Sequence, residues 1–228
     1  MSQQPNKQRH LITVTNPRSP VSEAFRALRT NIDFSSVDEQ IQIIMVTSSG
    51  PEEGKSTVTA NLAAAYAQAD KKVLLIDGDL RKPTAHKTFS LSNRYGLSSL
   101  LSQQANLSDV IQESGVNNLY LMTSGPIPPN PAEMMASNRM SAVLQELRQL
   151  YDVILIDTPP LLAVTDAQIV ASKSDGVIMV VSYGKVKRDI AAKAKDNLDR
   201  VGARMLGVVL NNVKRKASEG YYYYYYGN

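Results

Sequence analysis

The sequence predicts an α/β fold: a doubly wound, mainly parallel sheet with helices on both faces. Three observations support this. Short runs that are apolar nearly throughout recur along the chain, helical patterns separate them, and a glycine-containing turn joins the first run to the first long helix. Strands buried on both faces read as continuous apolar runs, and parallel strands need helical crossovers between them.

Val21, Phe25, Leu28 and Ile32 recur at i, i+4, i+7 and i+11, which predicts an amphipathic helix over residues 21–33. Its neighbouring face carries Glu23, Arg26 and Arg29. Spacing alone makes that a solvated charged face with a weak Glu23–Arg26 pair. Residues 41–46 are the first predicted strand, followed by a turn and a helix over 56–68. Further strands are expected at 73–76, 119–122, 153–156, 177–181 and 205–210. Helices are expected at 132–150 in two pieces, 166–173 and 188–201. Residues 125–131, Gly-Pro-Ile-Pro-Pro-Asn-Pro, form a stiff loop. With no internal repeat and no Gly/Ser-rich linker, one domain is expected over 1–214, followed by a flexible tail over 215–228.

Composition narrows the function classes. The 228 residues are 43% hydrophobic and 20% charged, as in a soluble globular protein. Without cysteine there is no disulfide framework and no thiolate metal site, which is consistent with a reducing cytoplasm. His10 and His86 are too few and too far apart in sequence for a histidine metal site. Met1 to Arg9 is polar, so no secretory leader is expected, and no apolar run approaches the ~18 residues a membrane span needs. The net charge of +4 is mild, and no nucleic-acid partner is expected. Lys185, Lys187, Arg188 and Lys214-Arg215-Lys216 read as a solvated surface, with an acidic membrane face or acidic partner as the alternative.

The chemistry-bearing residues follow the predicted strands. Ser49-Gly50-Pro51-Glu52-Glu53-Gly54-Lys55-Ser56-Thr57 joins the first strand to a helix start. Successive amides there point at an anion, Lys55 brings positive charge to terminal phosphates, and the Ser56 hydroxyl can complete a Mg²⁺ shell. Ser49 stands where this phosphate loop usually has its first glycine, with Gly50 one place on. Asp77 and Asp79 lie at alternate positions past the second strand, so their side chains are expected to point the same way. Asp157 ends the strand at 153–156. Each acid alone reads equally as a loop or cap residue. With the phosphate loop, at the strand ends where such sheets bind ligands, they form a magnesium–nucleotide constellation.

Six of the eleven tyrosines, Tyr221, Tyr222, Tyr223, Tyr224, Tyr225 and Tyr226, run unbroken before Gly227 and Asn228. No strand or helix buries six adjacent rings on one face, so they read as an exposed tail of phosphoryl acceptors.

The sequence resembles the bacterial tyrosine kinases of capsule and exopolysaccharide synthesis, most closely the stand-alone cytoplasmic type of Gram-positive bacteria. The resemblance spans nearly the whole chain. It rests on Ser48 to Thr57, on Leu74 to Pro83 with its Asp-Leu-Arg-Lys-Pro segment, on Gly125 to Ser137, on Val153 to Pro160 and on the tyrosine tail. It implies the P-loop nucleotide-hydrolase fold shared with division-site and partition ATPases. ATP and Mg²⁺ are the implied cofactors, with Lys55, Asp77 and Asp79 in catalysis and Ser56, Asp79 and Asp157 at the metal. Asp77 would orient the tyrosine hydroxyl and accept its proton. Gly50 to Thr57 would contact nucleotide. Asn211 is similar to the family's adenine-contacting position, with Asn212 as the fallback.

The resemblance recasts Glu23, Arg26 and Arg29 as an oligomerisation motif and implies a ring, an octamer, whose subunits phosphorylate one another's tails. It also implies a membrane-embedded activator that recruits the chain to the inner face of the cell membrane, and protein substrates in polysaccharide synthesis. Three other readings remain at this point. One is a partition or division-site ATPase, although Gly50 stands where those proteins place a second lysine. The others are a scaffold modified by another kinase and an adhesive tyrosine tail.

Overall fold

The computed structural model describes residues 11–35 and 41–213. In chain order the elements are α1 (Ile12–Thr15), α2 (Pro20–Phe34), β1 (Ile43–Ser48), α3 (Lys55–Ala67), β2 (Val73–Asp77), α4 (Ala85–Phe89), α5 (Leu97–Leu101), α6 (Leu107–Val110), β3 (Ile111–Glu113), β4 (Leu119–Met122), α7 (Pro131–Ala136), α8 (Asn138–Arg148), β5 (Val153–Asp157), α9 (Asp166–Ala171), β6 (Gly176–Ser182), α10 (Arg188–Arg200) and β7 (Met205–Asn211). They form one seven-stranded sheet in the order β3-β4-β2-β5-β1-β6-β7, parallel throughout except for the antiparallel edge pair β3–β4.

Each expected strand and long helix is present, with ends shifted by a residue or two where backbone pairing outruns the apolar run. The strands extend onto Ser48, Asp77, Asp157, Ser182 and Asn211, so polar residues finish the ladders at the carboxyl rim. The two halves expected over 132–150 are α7 and α8, split at Ser137, whose hydroxyl caps α8 by accepting from the Met140 amide at 3.2 Å. Four short helices and strand β3 were not expected, because three to five residues are too short to show a period.

The sheet separates two cores. On one face α3 is buried on nearly all sides, its alanines letting α2 pack close. On the other face α7, α8, α9 and α10 cover the residues of alternate parity. Strands β1, β2, β5 and β6 are buried at every position, as covered parallel strands must be. Phe25, Leu28 and Ile32 of α2 face this core, but Val21 is exposed and the buried residue of that first turn is Ser22. Ser22 is drawn inward because its hydroxyl donates to the Ile12 and Asn16 carbonyls. The proline-rich loop is held down, with Ser98 donating to the Pro126 carbonyl and Asn93 to that of Gly125. Among the described residues no helix is long and apolar enough to cross a membrane.

Candidate nucleotide site at the carboxyl rim

Register brings the acids together. In the parallel ladders Asp77 is the Cα partner of Asp157, and Asp157 of Val46 on β1. Residues paired in this way project to the same face roughly 5 Å apart. The chain leaves β1 at Ser48, turns through the phosphate loop, and begins α3 at Lys55, so the loop crosses directly over these strand ends. Gly54 is the N-cap of α3, with φ +92°, a conformation that favours glycine.

Lys55 is the hub of the rim. Its Nζ lies 3.2 Å from Asp79 Oδ2, 3.4 Å from Asp157 Oδ1 and 3.3 Å from the Ser56 hydroxyl. Burial alone would lower the Lys55 pKa, but Asp157 and Asp79 outweigh it and the net shift is upward. The carboxylates are short of positive charge. Burial pushes Asp157 up, more than Lys55 and the Ser56 hydroxyl pull it back. Burial, with Asp157 close by, raises Asp77 to about 7, against the lowering by the Thr84 and Ala85 amides.

Asp77 and Asp79 do not share a direction as alternation suggested. Asp79 divides its oxygens between Lys55 and the Lys82 amide at 3.0 Å. Asp77 turns to the start of α4, where Oδ2 accepts from the amides of Thr84 at 2.9 Å and Ala85 at 2.8 Å. Among the described residues its Oδ1 meets only the Asp79 amide, at 3.3 Å. The strand ends at Asp77, so the alternation rule no longer governs Asp79.

The donor set fits a nucleotide with Mg²⁺. Hard oxygens from Ser56, Asp79 and Asp157 converge beside one ammonium, and burial holds the Asp157 carboxyl above its ordinary pKa, so a second cation there would be favourable. Among the described residues no group of three or more acidic or histidine side chains is disposed to hold a metal by itself. Phosphate oxygens and water would supply the remaining ligands, as is usual for Mg²⁺.

The remaining expected positions lie on or away from this rim. Gly50 donates its amide to the Glu53 carboxylate, Pro51 and Glu52 are exposed at the crest, and Thr57 follows Ser56 in α3, its carbonyl accepting from Asn61. Glu52 has φ +60°. Asn211 donates its side-chain amide to the Glu53 carbonyl at 2.9 Å, so β7 does end against the loop, whereas Asn212 donates to the Ser182 hydroxyl. The α2 residues are remote from the acids: Arg26 pairs with Glu23 and donates to the Pro17 carbonyl, and Arg29 donates to the Ala65 carbonyl at 3.0 Å. Tyr221 to Tyr226, Lys214 to Lys216 and His10 lie outside the described residues.

Sequence reasoning missed two features. Arg81 clamps Asp166 in a fork, Nε to Oδ2 at 2.8 Å and an η-nitrogen to Oδ1 at 3.0 Å, tying the Asp79 loop to α9. Nothing in the sequence links residues so far apart. It also missed the Glu53 side chain, which is buried in the loop; the unusual Ser49 was the available signal, since a buried hydroxyl needs a partner.

The AAA domain family matches residues 41–189. The tyrosine-protein kinase YwqD of Bacillus subtilis is 48% identical over 207 residues, covering 91% of this chain and 87% of that protein. The crystal structure of the chimerical protein CapA2B2 superposes with a TM-score of 0.88 at 44% identity, over 90% of each chain. The septum site-determining protein MinD of Pyrococcus horikoshii, complexed with Mg-ADP, superposes less closely, with a TM-score of 0.66 at 27% identity over 77% of this chain and 72% of that one. A P-loop sheet whose rim carries Lys55 among three acids, matched along nearly its whole length by tyrosine-protein kinases, places this chain in the AAA domain family and, within it, among the bacterial tyrosine kinases.

Proposed function

We propose that the carboxyl rim binds ATP with Mg²⁺ and transfers the γ-phosphoryl group to tyrosines of the cluster Tyr221–Tyr226 on a neighbouring copy. The observation that carries the reading is the single Lys55 ammonium held between Asp79 and Asp157 at the start of α3. The amides opening α3 face the phosphates, and Lys55 exchanges its carboxylate partners for the β and γ oxygens. Ser56, Asp79 and Asp157 would hold Mg²⁺, which would neutralise charge building on the transferred group.

The attacking phenol has a pKa near ~10 and is protonated at neutral pH. As its oxygen bonds to the γ-phosphorus, the bond to the β-bridging oxygen breaks and ADP leaves. The phenolic proton passes to Asp77, whose Oδ1 has the spare capacity. A carboxyl raised to about 7 is suited to receive it. Asn211, against the loop at the end of β7, is the adenine-side contact.

In this reading residues 1–214 are the kinase domain and 215–228 the acceptor tail. Glu23, Arg26 and Arg29 contribute to packing between subunits in a ring of eight copies. A membrane-embedded activator brings the ring to the inner membrane face, where capsule or exopolysaccharide synthesis is regulated. Each phosphate adds about −1.5 to −2 charges at pH 7, so three outweigh the chain's +4 and drive tails apart.

Incubation with labelled ATP and Mg²⁺, with and without an activator fragment, tests the proposal by mapping the label. Label on Tyr221–Tyr226 in the parent, and none in Lys55→Met, is expected; label that persists in purified Lys55→Met would point to a contaminating kinase and a scaffold role. Size-exclusion chromatography before and after phosphorylation should show loss of the large species.

A further inference from the structure

The phosphate loop contains a buried carboxylate that phosphoryl transfer does not use. Glu53 is 1% exposed, while its neighbour Glu52 faces solvent. Glu53 Oε1 accepts from both the Ser49 hydroxyl and the Gly50 amide. Its Oε2 accepts from the Ser182 amide, at the end of β6, at 3.2 Å. Its backbone carbonyl accepts from Asn211, at the end of β7. The same Asn211 nitrogen lies 2.1 Å from where a Cβ on Gly54 would sit, so the loop is closed against β7 by a residue without a side chain. Glu53 thus joins both ends of the loop to two strands through neutral donors. Burying a carboxyl group costs free energy unless hydrogen bonds compensate, and here both Glu53 oxygens have donors.

We propose that Glu53 is a positioning residue, a brace that holds the phosphate loop in its binding shape before nucleotide arrives. The inference rests on the reading that this loop takes a nucleoside triphosphate, and deepens it. With a glycine in the first loop position the backbone would need no such partner. Ser49 instead brings a buried hydroxyl, and Glu53 both satisfies it and uses it as an anchor. A loop ordered in advance is not ordered at the expense of ligand affinity. The brace should therefore act on nucleotide affinity far more than on turnover at saturation.

The test is titration of the full chain with a fluorescent ADP analogue and Mg²⁺, together with kcat, KM for ATP and unfolding temperature. The variants are Glu53→Ala, Glu53→Gln and the double variant Ser49→Gly with Glu53→Ala. Glu53→Ala is expected to raise Kd and KM about tenfold, with kcat within about twofold of the parent. Glu53→Gln should fall between, because its amide oxygen can still accept from Ser49 and Gly50 while its NH₂ opposes the Ser182 amide. The double variant should regain part of the loss, since the orphaned hydroxyl is gone. The inference is overturned if Kd is unchanged in both single variants, whatever the unfolding temperature does, or if kcat falls with KM unchanged. Should Glu53→Ala not fold, Glu53→Gln decides by the same split. A parent that binds no adenine nucleotide would refute the site reading itself.

Discussion

The two rims of the sheet each carry acid at least partly withdrawn from solvent, and they treat it in opposite ways. At the amino rim, Asp175 accepts from the amides of Gln42 at 2.9 Å and Ile43 at 2.7 Å and pairs with both η-nitrogens of Arg148. Burial would raise its pKa, but Arg148 and these amides together hold it below the usual carboxylate value. At the carboxyl rim, Asp79 and Asp157 share one ammonium with Asp77 close by, and Asp77 and Asp157 are pushed above that value. A set whose charges balance joins strand to helix and is complete as it stands. A set with more acid than positive charge around it is suited to a ligand that brings a cation.

Removing the cation at each rim separates the two roles. Lys55→Met should lower phosphoryl transfer by about 10²–10³-fold or more, the scale of losing one preorganised charge in a transition state. A phosphotyrosine signal above a tenth of the parent's would contradict the assignment. Arg148→Met should leave transfer near the parent rate at low temperature and destabilise the fold by about 2–3 kcal/mol. That is less than for a fully buried pair, because both partners are partly exposed. Denaturant unfolding measures it, and equal effects on activity and stability would erase the distinction between the rims.

The pH dependences should oppose each other. Asp77 has a raised pKa, so between about 4 and about 7 the folded state holds a proton that the unfolded chain has released. Its stabilising contribution is full below the unfolded pKa and is lost as pH rises through 7. Asp175 has a lowered pKa, and its contribution is present above about 4 and lost as pH falls through the folded value. Between pH 5 and 7, Asp77→Asn should flatten the fall in unfolding temperature of the nucleotide-free protein, while Asp175→Asn should leave that slope unchanged. Identical slopes in all three proteins would remove Asp77 as its source.

The smallest effect belongs to Glu52, whose φ of +60° strains any residue with a Cβ. Glu52→Gly should stabilise by about 0.5 kcal/mol, strain relief of about 1 kcal/mol being partly offset by a more flexible unfolded chain. The same change removes the ion pair between Glu52 and Lys185, which is exposed to solvent and contributes little. A drop in stability would mean that this ion pair matters more than its exposure suggests.

What was legible in the sequence was local or periodic. The apolar runs of β1, β2, β5 and β6 read as covered strands because burial on both faces excludes polar residues. Ser49 to Thr57 read as a phosphate loop because anion binding demands glycine, lysine and a hydroxyl in fixed order beside a helix start. The acids read as a group because each closes or follows a strand. Strand order, the Asp77–Asp157 register, the turn of Asp77 toward α4, the Arg81–Asp166 clamp and the hydrogen bond from the Ser182 amide to Glu53 were settled only by tertiary packing. The physical reason is distance along the chain. Helical and strand periods and loop chemistry act over a few residues, whereas a buried carboxylate takes its partners from whichever strand the fold lays beside it.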